Sequence, residues 1–342
     1  MEPPYTERYV RWCERSVDKI IIYLLLDLIF IGGVWLMGNY IFKRIISSII
    51  TLWAVITITF LLAHAIPGGP FSKNEKLPPA IRKQMEARYN LDKSTWWQYK
   101  DYMKHLLKFD LGPSMVYKGK TVQRMIHNEF PKSAQLGIVA VLISILIGIP
   151  FGITSALRQG KWQDHTVMVL ATLGITVPSF VFATLLYYFF VVKLGWFPSR
   201  GWGSAAHVVL PAIALAGSPT ASISRITRSS LLDVIRQDYI RTAKAKGLPD
   251  KVVVYKHALK NALIPVVTYL GPLIASILTG SFVIEKIFVI PGLGSEFVDS
   301  IGNRDYTVIL GVTIFFATFL IICNLIVDIV YVLVDPRIKY EK

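Results

Sequence analysis

The chain has 342 residues, 53% of them hydrophobic, and a mean hydropathy of +0.49, which excludes an ordinary soluble domain and puts most of it in a bilayer. Its 37 Lys and Arg against 22 Asp and Glu leave a net charge of +15. Thirteen of the basic residues lie in a long outer region, 68–132, which escapes the topology rule; the clusters in short loops read as membrane topology, and no nucleic-acid partner is expected.

Residues 1–39 form an N-terminal extension. Its stretch 20–37 is apolar but carries Asp27, and upstream Arg8, Arg11, Arg15 and Lys19 alternate with Glu7, Glu14 and Asp18. Three readings stay open: a helix on the membrane surface, an extra span, which the apolar content favours, or a dispensable piece before a usual start at Met37. No small-x-small site follows the apolar stretch, so a cleaved signal peptide is not expected.

Charge-free runs at 45–63, 133–157, 166–192, 261–284 and 306–327 each approach or exceed the ~20 residues that cross a bilayer. A sixth, 208–224, is shorter and rich in Ala, Ser, Gly and Thr, and is the weakest of the set. The domains are therefore a first core span at 40–66, an outer insert at 67–132, a core with spans two to six at 133–334, and a tail at 335–342. In the insert Pro79 and Ala80 open one helix. Ser94 caps another in which Trp96, Tyr99, Met103 and Leu106 recur at helical spacing. That stripe either packs on the outer ends of the spans or docks a soluble protein, and both can hold together.

Between the fourth and fifth spans runs DYIRTAKAKGLPDKVVVYKHALKNALIP, residues 238–265, within a loop of about 228–262. Asp238 is expected to cap a short helix over 239–246, with lysines in its last turn. Gly247 then suits a left-handed cap, Leu248 folds back, and Pro249 prevents continuation. Ala243 and Gly247 fall on one face where a partner backbone could approach. A second helix over about 251–263 returns to the membrane, with Asn261 and Pro265 at re-entry.

This wording resembles the coupling loop of ABC importer permeases, whose signature is Glu-Ala-Ala, three residues, Gly, nine residues, Ile-x-Leu-Pro. Arg241, Thr242 and Ala243 stand at the first triplet and Gly247 at the glycine, while His257, Ala258, Leu259 and Lys260 replace the final four. YIRTAKAKGL with HALKNALIPV is similar to the peptide and nickel branch. So are YIFKRI with IPGGP, FDLGPS, FVIEKIFVIPGLG and YVLVDPRIKY, and the likeness runs over about 40–340.

The resemblance implies an all-α polytopic fold, the six-helix core of a type I importer permease, with an extra N-terminal apolar helix and a partly helical extracytoplasmic insert. It implies four kinds of partner: a second homologous permease, two cytoplasmic ABC ATPases, an extracytoplasmic substrate-binding protein, and lipid. ATP and Mg would bind on the ATPases, and no cofactor on this chain. Asp238, Tyr239, Arg241, Thr242, Ala243, Lys244, Ala245 and Gly247 would carry coupling. Substrate is most simply peptide, with nickel or another small solute as the alternative.

The chain's own chemistry agrees. It has no GxxxxGK[ST], HExxH or GxSxG, so ATP cleavage or nucleophilic catalysis has no machinery here. Cys13 and Cys323 suggest no disulfide, and six histidines show no ligand spacing. Basic clusters at 43–44, 158–161, 225–260 and 337–342 fall on one side, which puts both ends of the core in the cytoplasm.

Helix breakers within the spans point to the path: Pro150, Gly174, Pro178, Pro219, Gly271 and Pro272 are the candidates, against a reading as close helix packing. Taken together they would bend spans two to five around a central route. Charge inside the spans is limited to Glu285 with Lys286 at one edge and Asp328 near the other, which pairs locally or with a partner. That leaves little for an ion-driven carrier, the competing class.

Overall fold

The computed structural model describes residues 42–65, 70–71 and 78–334. The extension 1–39 and the tail 335–342 lie outside the described residues, as does the side chain of Asp328. The chain divides into two compact units, 1–54 and 55–342.

Helix α1 is Phe42–Ala65. In the insert, α2 (Pro79–Arg88) starts on a proline, whose fixed φ suits a first turn, and α3 (Thr95–Leu107) starts on Ser94, whose Oγ accepts from the Trp97 N–H at 3.4 Å. Both starts fall where the sequence put them.

The long pair α4 (Val122–Leu157) and α7 (Ala205–Ile235) forms the centre. Thr121 caps α4 by accepting from the Arg124 N–H at 3.4 Å, so α4 begins eleven residues before the apolar run. Both helices continue through internal prolines, Pro131 and Pro150 in α4, Pro211 and Pro219 in α7.

They meet through small residues. A Cβ on Gly148 would lie 3.0 Å from the Thr220 carbonyl oxygen, and one on Gly152 would lie 2.6 Å from that of Ser224. The weakest span in the sequence is thus among the most enclosed helices of the fold. Its small residues let α4, α5 and α6 approach, Ala216 and Ser224 toward α4, Ala221 toward Gly174 of α5 and Gly217 toward Phe182 of α6, and close approach needs small side chains.

The third apolar run is broken. Helix α5 (Trp162–Thr176) stops before Pro178, and α6 (Ser179–Leu186), prolonged by a π-helical turn at Tyr187–Lys193, leaves at 103°. Pro178 disfavours helix at Val177, which is extended at φ −75°, ψ 119°.

After α7 come α8 (Asp238–Ala245), then α9 (Asp250–Val252), a π-helical stretch Val253–Ala258 and α10 (Leu259–Ala262). This return arm reaches α11 (Ile264–Leu278) at a 47° bend beside Pro265. The fifth span ends at Leu278 rather than at 284. Gly280 at φ +94° turns the chain into α12 (Phe282–Ile287), followed by α13 (Leu293–Asn303) and α14 (Tyr306–Val334).

Among the described residues four helices, α1, α4, α7 and α14, are long and apolar enough to cross a membrane, and the count reaches six if each bent pair is one span. Among the described residues there is no strand, only an isolated bridge between Pro113 and Thr121. The fold is all-α and polytopic.

Candidate functional site

Helix α8 is built to stay on the surface while gripping the body. Its Ile240 and Ala243 are buried in a cluster with Ile153 and Ala156 of α4, Leu231 of α7, and Val253, Ala258 and Ala262 of the return arm. The Tyr239, Arg241, Thr242, Lys244, Ala245, Lys246 and Gly247 side of the turn is exposed. Asn261 Nδ2 donates to Tyr239 Oη at 2.8 Å and ties α8 to the arm that returns to α11.

The helix ends as its residues require. Gly247 adopts φ +78°, its N–H donates to the Lys244 carbonyl at 2.9 Å, and the Leu248 N–H reaches the Ala243 carbonyl at 3.4 Å. That pair of bonds is a Schellman cap, which needs a left-handed residue at Gly247.

Two expectations change here. Gln237, not Asp238, is the capping residue; Asp238 sits in the first turn, almost fully exposed, 3.5 Å from Arg241. Ala243 does not share an open face with Gly247, because it is buried inside this chain, whereas a Cβ on Gly247 would meet nothing within 4 Å. Sequence spacing put the two on one face, but the left-handed turn at Gly247 takes it off the helix surface that Ala243 occupies.

One feature of this end lies beyond the motif. Asp164, 3% exposed in the first turn of α5, receives a fork from Arg228 of α7, Nε to Oδ1 at 2.6 Å and Nη2 to Oδ2 at 2.8 Å. The Ser155 hydroxyl of α4 also donates to it, as does the Gly160 N–H at 2.9 Å. A single carboxylate therefore joins α4, the α4–α5 turn, α5 and α7, next to the cluster that seats α8. A lone Asp, and Arg225 and Arg228 at the same end of the other apolar run, were the available signal.

The opposite end, near Val122, has its own buried carboxylate. Glu285 of α12 is fully buried, and its Oε2 accepts from the Ser295 N–H at 2.8 Å. Ser133 of α4 lies against it and accepts from the Leu293 N–H at 2.9 Å. Gly280, Gly292 and Gly294 surround it so closely that a Cβ on Gly292 would stand 2.6 Å from Ser133 Oγ. Burial pushes the Glu285 carboxyl up, and the bonds from Ser133, Ser295 and Gly294 only partly offset that.

Lys286 does not pair with its neighbour: it turns the other way, to Asp299 at 2.5 Å. Asp305 completes this end, accepting from the Ser114 hydroxyl and from the N–H groups of Met115 at 3.1 Å and Val116 at 3.2 Å.

The six path candidates separate. Gly174 packs on α7, with a Cβ there 3.0 Å from that of Ala221, and Pro219 and Gly271 are buried. Pro150, Pro178 and Pro272 are exposed on this chain. The sharp breaks fall at Pro178 and beside Pro265, not at Pro150, Pro219 or Pro272, where the helix runs on.

The insert stripe is also re-sorted. Tyr99, Met103 and Leu106 are half-buried, but Trp96 is 64% exposed, because the inward turn is taken by Gln98 and Tyr102. Among the described residues no group of three or more His, Cys, Asp or Glu is arranged to hold a metal ion.

A family profile described as binding-protein-dependent transport system inner membrane component matches residues 148–340. The dipeptide transport system permease protein DppB of Bacillus subtilis (strain 168) is 48% identical over 306 residues, 90% of this chain and 99% of its own. The oligopeptide transport system permease protein OppB is 42% identical in Haemophilus influenzae and 43% in Salmonella typhimurium, each over 89% of this chain and 100% of its own. Among solved structures, a chain of the MetNI methionine ABC transporter in an inward facing conformation aligns with 61% of this chain and 97% of its own, at 18% identity and a TM-score of 0.49. With 48% identity over nearly its whole length and a profile match over more than half, the chain belongs to the binding-protein-dependent transport system inner membrane components: it is a multi-pass permease subunit.

Proposed function

We propose that this chain is half of the translocation path of an ATP-driven peptide importer, working beside a second, homologous permease. Two cytoplasmic ATPases would bind and split ATP with Mg, and an extracytoplasmic protein would deliver substrate. Both ends of the six-span core would then be cytoplasmic, in line with the basic clusters at 43–44, 158–161, 225–260 and 337–342.

The observation that carries the reading is α8. Its apolar side is seated on the ends of α4 and α7, its outer side of Tyr239, Arg241, Thr242 and Lys244 is open, and a Schellman turn fixes its end. A lever needs that combination of firm seating and free contact surface. Closure of the ATPases would push α8, and the shared core would pass the displacement to α4 and α7 as one rigid body. Asp164 would extend it to α5, whose break at Pro178 allows the two halves of the third run to move apart.

Peptide is the substrate class favoured, since the relatives at 42–48% identity are named for dipeptide and oligopeptide transport. Uptake of a labelled dipeptide and a labelled pentapeptide, in cells with and without the chain, tests it. Loss of either uptake on deletion, restored by the gene, is the expected result. Unchanged peptide uptake together with lost nickel uptake would replace the substrate. Uptake that survives ATP depletion and follows an ion gradient would overturn the importer reading itself.

A further inference from the structure

We infer that α3 lies on the bilayer surface at the Ala65 end of α1 and anchors the insert there, with Trp96, Leu107 and Phe109 in lipid and Lys100, Lys104 and Lys108 at headgroup phosphates. The inference rests on the multi-pass membrane fold alone, not on the substrate or on ATP coupling.

The depth of α3 follows from its contacts. Tyr99 Oη and Thr57 Oγ1 are 2.8 Å apart, and the rings of Tyr99 and Tyr102 lie 5.3 and 6.3 Å from that of Phe60. Thr57 is eight residues below the end of α1, about 12 Å at ~1.5 Å per residue. On the same turns Ile58, Leu61 and Leu62 are 57%, 56% and 63% exposed, an apolar surface that only lipid or another membrane segment can cover. The Tyr99 phenol therefore reaches below the membrane surface, and the α3 backbone, one side chain away, lies at the boundary.

The other side of α3 has the chemistry of that boundary. No side chain of α3 is buried. Trp96 stacks on Tyr99 with centroids 5.6 Å apart, and Lys100 Nζ stands 5.1 Å from the Trp96 ring. Tryptophan and lysine side by side suit the interface, where the indole sits among headgroups and the lysine stem lies along apolar surface with its ammonium outward.

Leu107 and Phe109 are 80% and 89% exposed. Phe109 is held in that position: its φ is +58°, its N–H donates to the Leu106 carbonyl at 2.9 Å, and Gln123 Nε2 donates to its carbonyl at 3.1 Å. A phenylalanine fixed outward by its backbone has an occupant to meet. The nearby acids are already engaged, Asp101 with His105 at 3.9 Å and Asp110 with His105 at 3.2 Å and the Gly112 N–H at 3.0 Å. Lys100, Lys104 and Lys108, spaced by four, remain for phosphate.

The test uses the full chain, purified with whatever accompanies it, in nanodiscs of phosphatidylcholine and phosphatidylglycerol. Nitroxide labels are placed by Leu107→Cys or Phe109→Cys in a Cys13→Ser, Cys323→Ser background, and collisions with oxygen, which concentrates in lipid, are compared with those of a water-soluble nickel chelate. Oxygen collisions should exceed chelate collisions at both positions. Dominant chelate collisions would put the face in water, and weak collisions from both reagents would put a protein over it; either result overturns the inference.

A second measurement needs no cysteine. Lipids brominated near the headgroup should quench the tryptophan fluorescence of the unaltered chain more than that of Trp96→Phe. Equal quenching would remove Trp96 from the interface.

Discussion

The two ends of the α4–α7 pair each bury a carboxylate, and they solve the problem differently. Asp164 receives the two-pronged guanidinium of Arg228, so charge meets charge across three helices. Glu285 has no such cation; N–H groups, a serine and three glycines close around it. An ion pair can shift as one unit while staying satisfied, and it lies beside the surface helix α8. A carboxyl packed in backbone has no such freedom, because its partners are fixed by the turn that makes them. If α8 transmits force as proposed, the α8 end would move as a body while the α12–α13 end holds its shape.

The largest test of that contrast is Arg228→Ala. It would strand a buried charge and should cost about 3 kcal/mol, as breaking buried pairs does, read as a fall in melting temperature of the purified chain. Arg228→Lys keeps the charge without the fork and should cost less. If both variants melted like the parent, the pair would not hold the helices.

Gly292→Ala should come next. Its methyl group would press on Ser133 Oγ and on the Glu285 carboxylate, and overpacking of this kind costs about 1–3 kcal/mol. Gly302→Ala, where a Cβ meets nothing, is the matched control. Equal melting of the two variants would break the picture of a closed cradle.

Gly247→Leu asks for a left-handed leucine, a strain of roughly 1–2 kcal/mol at the Schellman turn. Nothing inside the chain resists it, so the variant should insert and assemble while peptide uptake is abolished. Gly247→Asn, which tolerates that conformation, should retain much more uptake. Normal uptake by the leucine variant would remove the coupling role of this turn.

The smallest effect is a pH dependence. Because the folded-state pKa of Glu285 is raised, the folded chain holds its proton where the unfolded chain has lost it. Its contribution is fully present below the ordinary carboxylate range and is lost as pH rises toward the raised value. Melting temperature measured from pH 4 upward should decline less in Glu285→Gln than in the parent. Parallel curves would show that Glu285 is not the group responsible.

Much of this was legible in the chain. The Gly247 stop, the Ser94 and Pro79 helix starts and the Pro178 break depend on residues within a turn of one another, and local chemistry decides them; the apolar runs were legible as spans, although the fifth ends at Leu278. The run at 208–224 was read as a span, and is one, but looked the weakest, since small residues look less like a span although they mark a helix packed on protein. Spacing also put Ala243 toward a partner and Trp96 in one stripe with Tyr99, Met103 and Leu106, because a helical stripe gives the faces of a helix but not what lies beside each.

The sequence by itself determined the bilayer, the all-α class, the family likeness and the α8 turn, all carried by hydropathy, charge and short motifs. Pro178 marked where the third run breaks, but tertiary structure decided the 103° turn made there, that Lys286 joins Asp299, and that Asp164 finds Arg228 64 residues away. Those outcomes depend on which surfaces meet once α4 and α7 pack through Gly148 and Gly152, and a distance between helices is not written in any local stretch of residues.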